Sequence, residues 1–194
     1  MVEIPYPLTT KRLVLRRFTA DDLAPYYAYQ RLPETTRYLL SGPRSYVQCM
    51  ARIAKYVDDP FAGPGDWATF AVERAGQPGL VGELALKWSP GGQSEKGNGS
   101  ERVGEIGWTL APEAQGHGYA TEAAQAVLDL AIDELGFHRV EARLDARNSA
   151  SAAICERLGM RREGVLRDNM YLKGEWTSEA IYAVLRSRPA TDQA

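Results

Sequence analysis

Between Ile106 and Glu122 the chain reads IGWTLAPEAQGHGYATE, with Gly116 and Gly118 standing just ahead of a helical apolar pattern. Two missing side chains let the backbone N–H groups of the loop and of the first helical turn face one anion. The positive end of the helix dipole adds to that attraction. The chemistry is that of a phosphate or pyrophosphate seat, and the alternative is a simple turn. Two nucleotide-binding patterns do not fit. G-x-G-x-x-G would need glycine where Thr121 stands, and G-x-x-x-x-G-K-[ST] is absent. A second reactive stretch runs from Asn148 to Met160. Its Ser151 and Cys155 are four residues apart, hence on one helical face. A free thiol titrates near about 8.5 and can give up a proton. Buried, it packs as a small hydrophobe, and packing is the reading preferred here.

These residues need elements to hold them. Lys11–Phe18 alternates as a strand with Leu13 and Leu15 on one face. Thr19 and Asp22 cap a first helix, with Phe18 and Leu23 as a hydrophobic staple and Pro25 as a site for a kink. Ser45 and Gln48 form a capping box for a helix over Ser45–Val57, whose apolar face is read as Val47, Met50, Ile53 (or Ala54) and Val57. Strands follow at Trp67–Arg74, Leu80–Trp88 and Val103–Leu110, with the glycine-rich stretch Ser89–Arg102 as a surface loop. A helix from about Ala120 stops at Gly136, and the next strand holds Val140, Ala142 and Leu144. A short helix from Asn148 to Leu158 and strands near Arg161–Leu166 and Trp176–Leu185 complete the order β, α, α, β, β, β, α, β, α, β, β. The class is α/β: one domain over residues 8–186 built on a single sheet, with a polar tail at 187–194.

Composition sets outer bounds. At roughly 150 residues per domain, 194 residues make one domain. Hydrophobic residues at 44% and charged residues at 25% exclude disorder and collagen-like repeats. Basic and acidic residues number 23 and 25, net −2, so no global positive field draws nucleic acid, although a local basic patch stays open. Two cysteines and two histidines supply no disulfide framework and no metal site, which fits a reducing cytosol. The first residues lack a basic start followed by an apolar run, and no apolar run reaches about 18 residues, so a cytoplasmic protein with no membrane contact is expected.

Gln115-x-x-Gly118-x-Ala120 resembles the Q/R-x-x-G-x-G/A acetyl-CoA motif of the GNAT superfamily of N-acetyltransferases. Asn148-Ser149-Ala150-Ser151 through Leu158-Gly159-Met160 is similar to that family's N-x-x-S-x-x-V-x-E-K-L-G-F segment. The opening Leu8–Arg16 looks like the first strand of the branch that acetylates ribosomal-protein N-termini (RimJ/RimL type). The branch commonly carries Gly-x-Tyr/Trp-x-Asp near its last strands. Gly174-Glu175-Trp176-Thr177-Ser178 lacks the Asp, which weakens a specific ribosomal target and leaves the cofactor assignment intact.

The resemblance implies a mostly antiparallel mixed sheet, helices on both faces, and a splay between the fourth and fifth strands. It implies that Gln115, Gly116, His117, Gly118, Tyr119, Ala120 and Thr121 hold the coenzyme A pyrophosphate. Trp108, Thr109 and Leu110 would pair with its pantetheine arm, and a strand N–H in the splay would polarise the thioester oxygen. Asn148 would contact the pantetheine or acetyl region, or cap its helix. Ser151 would protonate the departing thiolate. Because free amines titrate near about 10, a carboxylate must relay the proton. Glu105 is the first candidate, Glu83 the second, Tyr171 the third. Acetyl-CoA is the implied co-substrate, with no metal. The acceptor is a primary amine, either a protein N-terminus or a small molecule such as a polyamine, antibiotic or amino acid. A non-catalytic acyl-CoA-binding module is the competing reading, and a homodimer is compatible with the family.

Overall fold

The computed structural model describes residues 3–58, 60–89 and 102–186. Eight strands form one sheet in the order β1-β2-β3-β4-β5-β6-β8-β7. They are β1 Leu8–Thr9, β2 Leu13–Arg16, β3 Trp67–Arg74, β4 Gln77–Ser89, β5 Arg102–Leu110, β6 Phe137–Asp145, β7 Arg161–Leu172 and β8 Glu175–Leu185. Every pairing is antiparallel except β5 with β6. The expected strand order is present, with β1 added at one edge. The strands expected as fourth and fifth, Val103–Leu110 and Arg139–Leu144, are β5 and β6 in this numbering, and they part as expected.

The helices are α1 Leu23–Gln30, α2 Pro33–Thr36, α3 Tyr46–Asp58, α4 Tyr119–Asp129 and α5 Ser149–Arg157. They cover both faces. Ala123, Ala124, Val127 and Leu128 of α4 and Cys155 and Leu158 at α5 pack with Leu13, Leu15, Phe70, Leu84, Leu86 and Ile106 of the sheet. On the other face Phe18, Tyr26, Tyr29, Cys49 and Ile53 enclose Ala71 and Leu80. A strand covered on both sides loses simple alternation, and Ala68 to Val72 of β3 are all buried.

Local chemistry explains most boundaries. Thr19 and Asp22 form their capping box over a 3₁₀ turn, Ala20–Asp22, and α1 begins only at Leu23. Pro25 thus lies in the first α-helical turn, where its missing N–H costs nothing, and α1 runs from Leu23 to Gln30 past it. In α3 both capping-box bonds are made, Ser45 N to Gln48 Oε1 at 2.8 Å and Gln48 N to Ser45 Oγ at 3.3 Å. Its apolar face is not the expected one. Val47, Met50 and Val57 are exposed, whereas Cys49 and Ile53 are buried against the aromatic cluster. Both stripes have helical spacing, and the rings of Phe18 and Tyr26 select the second.

β7 is longer than its pattern because it continues past a register break between Leu166 and Met170. The tail at 187–194 and most of the Ser89–Arg102 loop, residues 90–101, lie outside the described residues.

Two features shape the region beside α4. Strand β5 pairs with β6 only from Arg102 to Glu105, and from Ile106 onward it pairs with β4 alone, while β6 continues along β8. From Ile106 to Leu110 the edge of β5 that faces β6 is therefore paired with no strand. On the other side β5 approaches β4 closely at Gly82, where a Cβ would stand 2.6 Å from the Thr109 carbonyl oxygen and run into Leu110. Glycine at that position lets the end of β5 lie where it does.

Candidate active site

A cleft of about 890 Å³ opens along the free edge of β5. Trp108, Thr109 and Leu110 form its floor, and Ala114, Gln115, Gly116, Gly118 and the first turn of α4 form its head. One wall is Asn148, Ala150, Ser151, Ala153, Ile154 and Arg157 from the α5 segment. The other is Glu34, Thr35, Tyr38 and Leu39 from α2 and the residues after it. Lys173 in the β7–β8 turn donates to the carbonyls of Thr36 and Arg37, so the turn is tied to that second wall.

The head of the cleft is built as the glycine pattern requires. Gly116 and Gly118 have φ of 79° and 77°, in the left-handed region that glycine enters without strain. Gly118 is the N-cap of α4, and the first helical bond runs from Glu122 N to the Gly118 carbonyl at 3.1 Å. Among the described residues, no acceptor takes the N–H groups of Gly116 through Thr121. Four of them, Gly118 to Thr121, are the N–H groups that any helix start leaves unpaired, and with the two loop donors before them they form a seat that suits an anion. Gln115 ties the loop to the strand, its Nε2 donating to the Leu110 carbonyl at 3.0 Å. His117 is exposed and lies outside the cleft lining, its ring 5.6 Å from that of Tyr119.

Asn148 serves in two ways. Its side-chain oxygen accepts from Ser151 N at 3.1 Å and so caps α5, and the residue also lines the cleft. Ser151 lines the same wall. Cys155, one turn on, is fully buried in the core, and burial pushes its thiol up to about 12. It packs and gives up no proton near neutrality.

The carboxylates are spread out. Glu105 is the last β5 residue paired with β6, opposite Glu141, so it marks the throat where the splay begins. Its Oε2 lies 3.7 Å from Lys87 Nζ, and both line a second groove of about 580 Å³ with Arg139, Glu141 and Arg143. Glu83 stands opposite Thr109 in the β4–β5 register, beneath α1. Its Oε1 accepts from Gln30 Nε2 at 2.7 Å, and its Oε2 is buried without a partner among the described residues. Burial raises its carboxyl above the ordinary range, and the nearby Arg52 only partly offsets that. Tyr171 is 62% exposed at the β7–β8 turn, its hydroxyl donating to the Gly174 carbonyl, outside the cleft.

The raised Glu83 pKa carries a stability consequence. Above about 4.5 the unfolded chain gives up this proton while the native state keeps it. The native state then binds more protons, so stability falls as pH rises through that window. Glu83→Gln should flatten this part of the profile in urea titrations run from about pH 4 to about pH 8. A mutant curve parallel to that of the parent would contradict the assignment.

Pattern reading missed Arg12, Thr10 and Glu122. Glu122 Oε1 accepts from Thr10 Oγ1 at 2.6 Å and from Arg12 N at 2.8 Å, and Glu122 Oε2 accepts from Arg12 Nε at 2.6 Å. Partial burial pushes Glu122 upward, but the bonds from Thr10 and Arg12 outweigh it and hold the carboxyl below its usual range. The α2 wall was missed as well, because a four-residue helix carries no periodicity.

The sequence profile of the acetyltransferase (GNAT) domain matches residues 12–161. The chain belongs to the GNAT acetyltransferase family. YnaD, an uncharacterized N-acetyltransferase of Bacillus subtilis (strain 168), is 31% identical over 179 residues, covering 92% of this chain and 96% of that protein. A GNAT-family acetyltransferase from Bacillus anthracis superposes with a TM-score of 0.78 at 27% identity, over 93% of this chain and 98% of that one. The spermidine N-acetyltransferase of Vibrio cholerae, solved with CoA and spermine, superposes at 0.73 with 22% identity, over 91% and 97%, and shares the fold. This GNAT chain is therefore an acyltransferase with one α/β domain built on a mixed, mostly antiparallel sheet.

Proposed function

We propose that this protein moves an acetyl group from acetyl-CoA to a primary amine, with a protein N-terminus as acceptor. The observation that carries the reading is the row of unpartnered N–H groups from Gly116 to Thr121 at the head of a cleft floored by a free strand edge. Acetyl-CoA supplies the activated acyl group as a thioester. The loop N–H groups and the dipole of α4 hold its pyrophosphate, with Gln115 fixing the loop. The free edge at Trp108, Thr109 and Leu110 takes the pantetheine amides, and an N–H of that edge polarises the thioester oxygen. Asn148 orders the start of α5 and so aims the Ser151 hydroxyl, which gives its proton to the leaving sulfur. Glu105, which lines the neighbouring groove at the throat of the splay and not the cleft itself, takes the proton of the attacking amine through water. Holding donor and acceptor in one cleft supplies much of the acceleration.

The likeness of Leu8–Arg16 to the ribosomal branch supports the N-terminal acceptor. The likeness in fold to a spermidine acetyltransferase supports a second reading, a small polyamine. Thiol release measured against a panel of peptide N-termini and polyamines separates them. Release matched mole for mole by acetylated peptide is the expected result. Saturable coenzyme A binding without turnover on any amine would overturn the proposal. In the same assay Glu105→Gln should flatten the alkaline-rising limb of kcat/KM, and an unaltered limb would move the base to another carboxylate.

A further inference from the structure

We propose that Arg12 is a positioning residue for the anion loop, locked by Glu122 so that the loop N–H groups face the cleft before any ligand arrives. The inference rests on the cofactor reading of residues 115–121 and adds a residue from the far end of the chain to it. Arg12 Nη1 donates to the His117 carbonyl at 3.0 Å. The His117 C=O and the Gly118 N–H belong to one planar trans peptide and point in opposite directions. Holding that oxygen on the Arg12 side therefore turns the Gly118 N–H away from Arg12. The flanking glycines, both at positive φ, have no side chains to hold this orientation themselves.

The clamp is itself fixed. Glu122 lies one turn into α4 and grips Arg12 through its Nε at 2.6 Å and its backbone N at 2.8 Å, while Thr10 occupies the same carboxylate at 2.6 Å. The guanidinium sits 4.9 Å from the centre of the Tyr119 ring, so the first residue of α4 braces its flat face. Arg12 Nη2 would lie 3.5 Å from a Cβ at Gly118, so the group rests directly over the loop. A fork that meets a carboxylate and a carbonyl at once is an arginine property, and lysine lacks it. Ordering a two-glycine loop is entropically costly on binding, and the clamp removes that cost beforehand.

The test is calorimetry with coenzyme A together with steady-state kinetics on the full chain. The parent must bind coenzyme A. If it does not, the cofactor reading itself fails and this inference goes with it. If it does, Arg12→Ala should raise the Kd and the KM for acetyl-CoA by about 10- to 100-fold, the loss falling on KM rather than on kcat at saturation. Arg12→Lys should not restore affinity. Glu122→Gln should weaken binding in the same direction, and the double variant should be little worse than either single one.

Three results would overturn the proposal. Unchanged affinity in Arg12→Ala, even with a lowered Tm, would make the contact purely structural. Tighter binding in Glu122→Gln would mean that Arg12 acts as a free counter-charge on phosphate. Full rescue by lysine would point the same way.

Discussion

Gly118→Glu should abolish measurable coenzyme A binding, lowering affinity by at least about 100-fold while the chain still folds. Two effects add. Residue 118 sits at φ 77°, where a side chain costs roughly 1–2 kcal/mol. The new carboxylate would also stand beside Arg12 Nη2, at the mouth of the loop, and bring negative charge to donors that have no other partner. Gly118→Ala separates the two, because it keeps the strain and omits the charge. Alanine should weaken binding far less than glutamate does. Equal affinity in the parent and Gly118→Glu would show that the phosphates bind elsewhere.

Ser151→Ala should lower kcat by about 100-fold, within the range general-acid groups contribute, with KM for acetyl-CoA changed only a few-fold. The fold should be unaffected. The cap on α5 uses the backbone N–H of Ser151, which alanine retains, and the Asn148 oxygen keeps its 3.1 Å bond. Cys155 cannot stand in as donor, since burial in the core holds its proton. Turnover equal to that of the parent would remove Ser151 from the chemistry and leave the leaving group to solvent.

What the sequence revealed and what it hid divide by distance along the chain. The loop at 115–121 and the start of α5 were readable because their signals are local: glycine where φ is positive, asparagine where a helix needs a cap. The same holds for the Thr19–Asp22 and Ser45–Gln48 boxes. The Arg12–Glu122 pair spans 110 residues and left no trace in either segment, each of which looks like an ordinary charged position. Glu105 and Glu83 both sit on the expected strands, yet only register shows that one stands at the throat and the other opposite Thr109. The buried face of α3 was misread because two stripes of equal period compete, and the partner surface decides between them.

The most direct test is a crystal structure with coenzyme A bound. Pyrophosphate oxygens within about 3.2 Å of the N–H groups between Gly116 and Thr121, and the thiol reaching the wall at Ser151, are the predicted result. A diphosphate held by side chains elsewhere, with those amides still unpaired, would contradict the account.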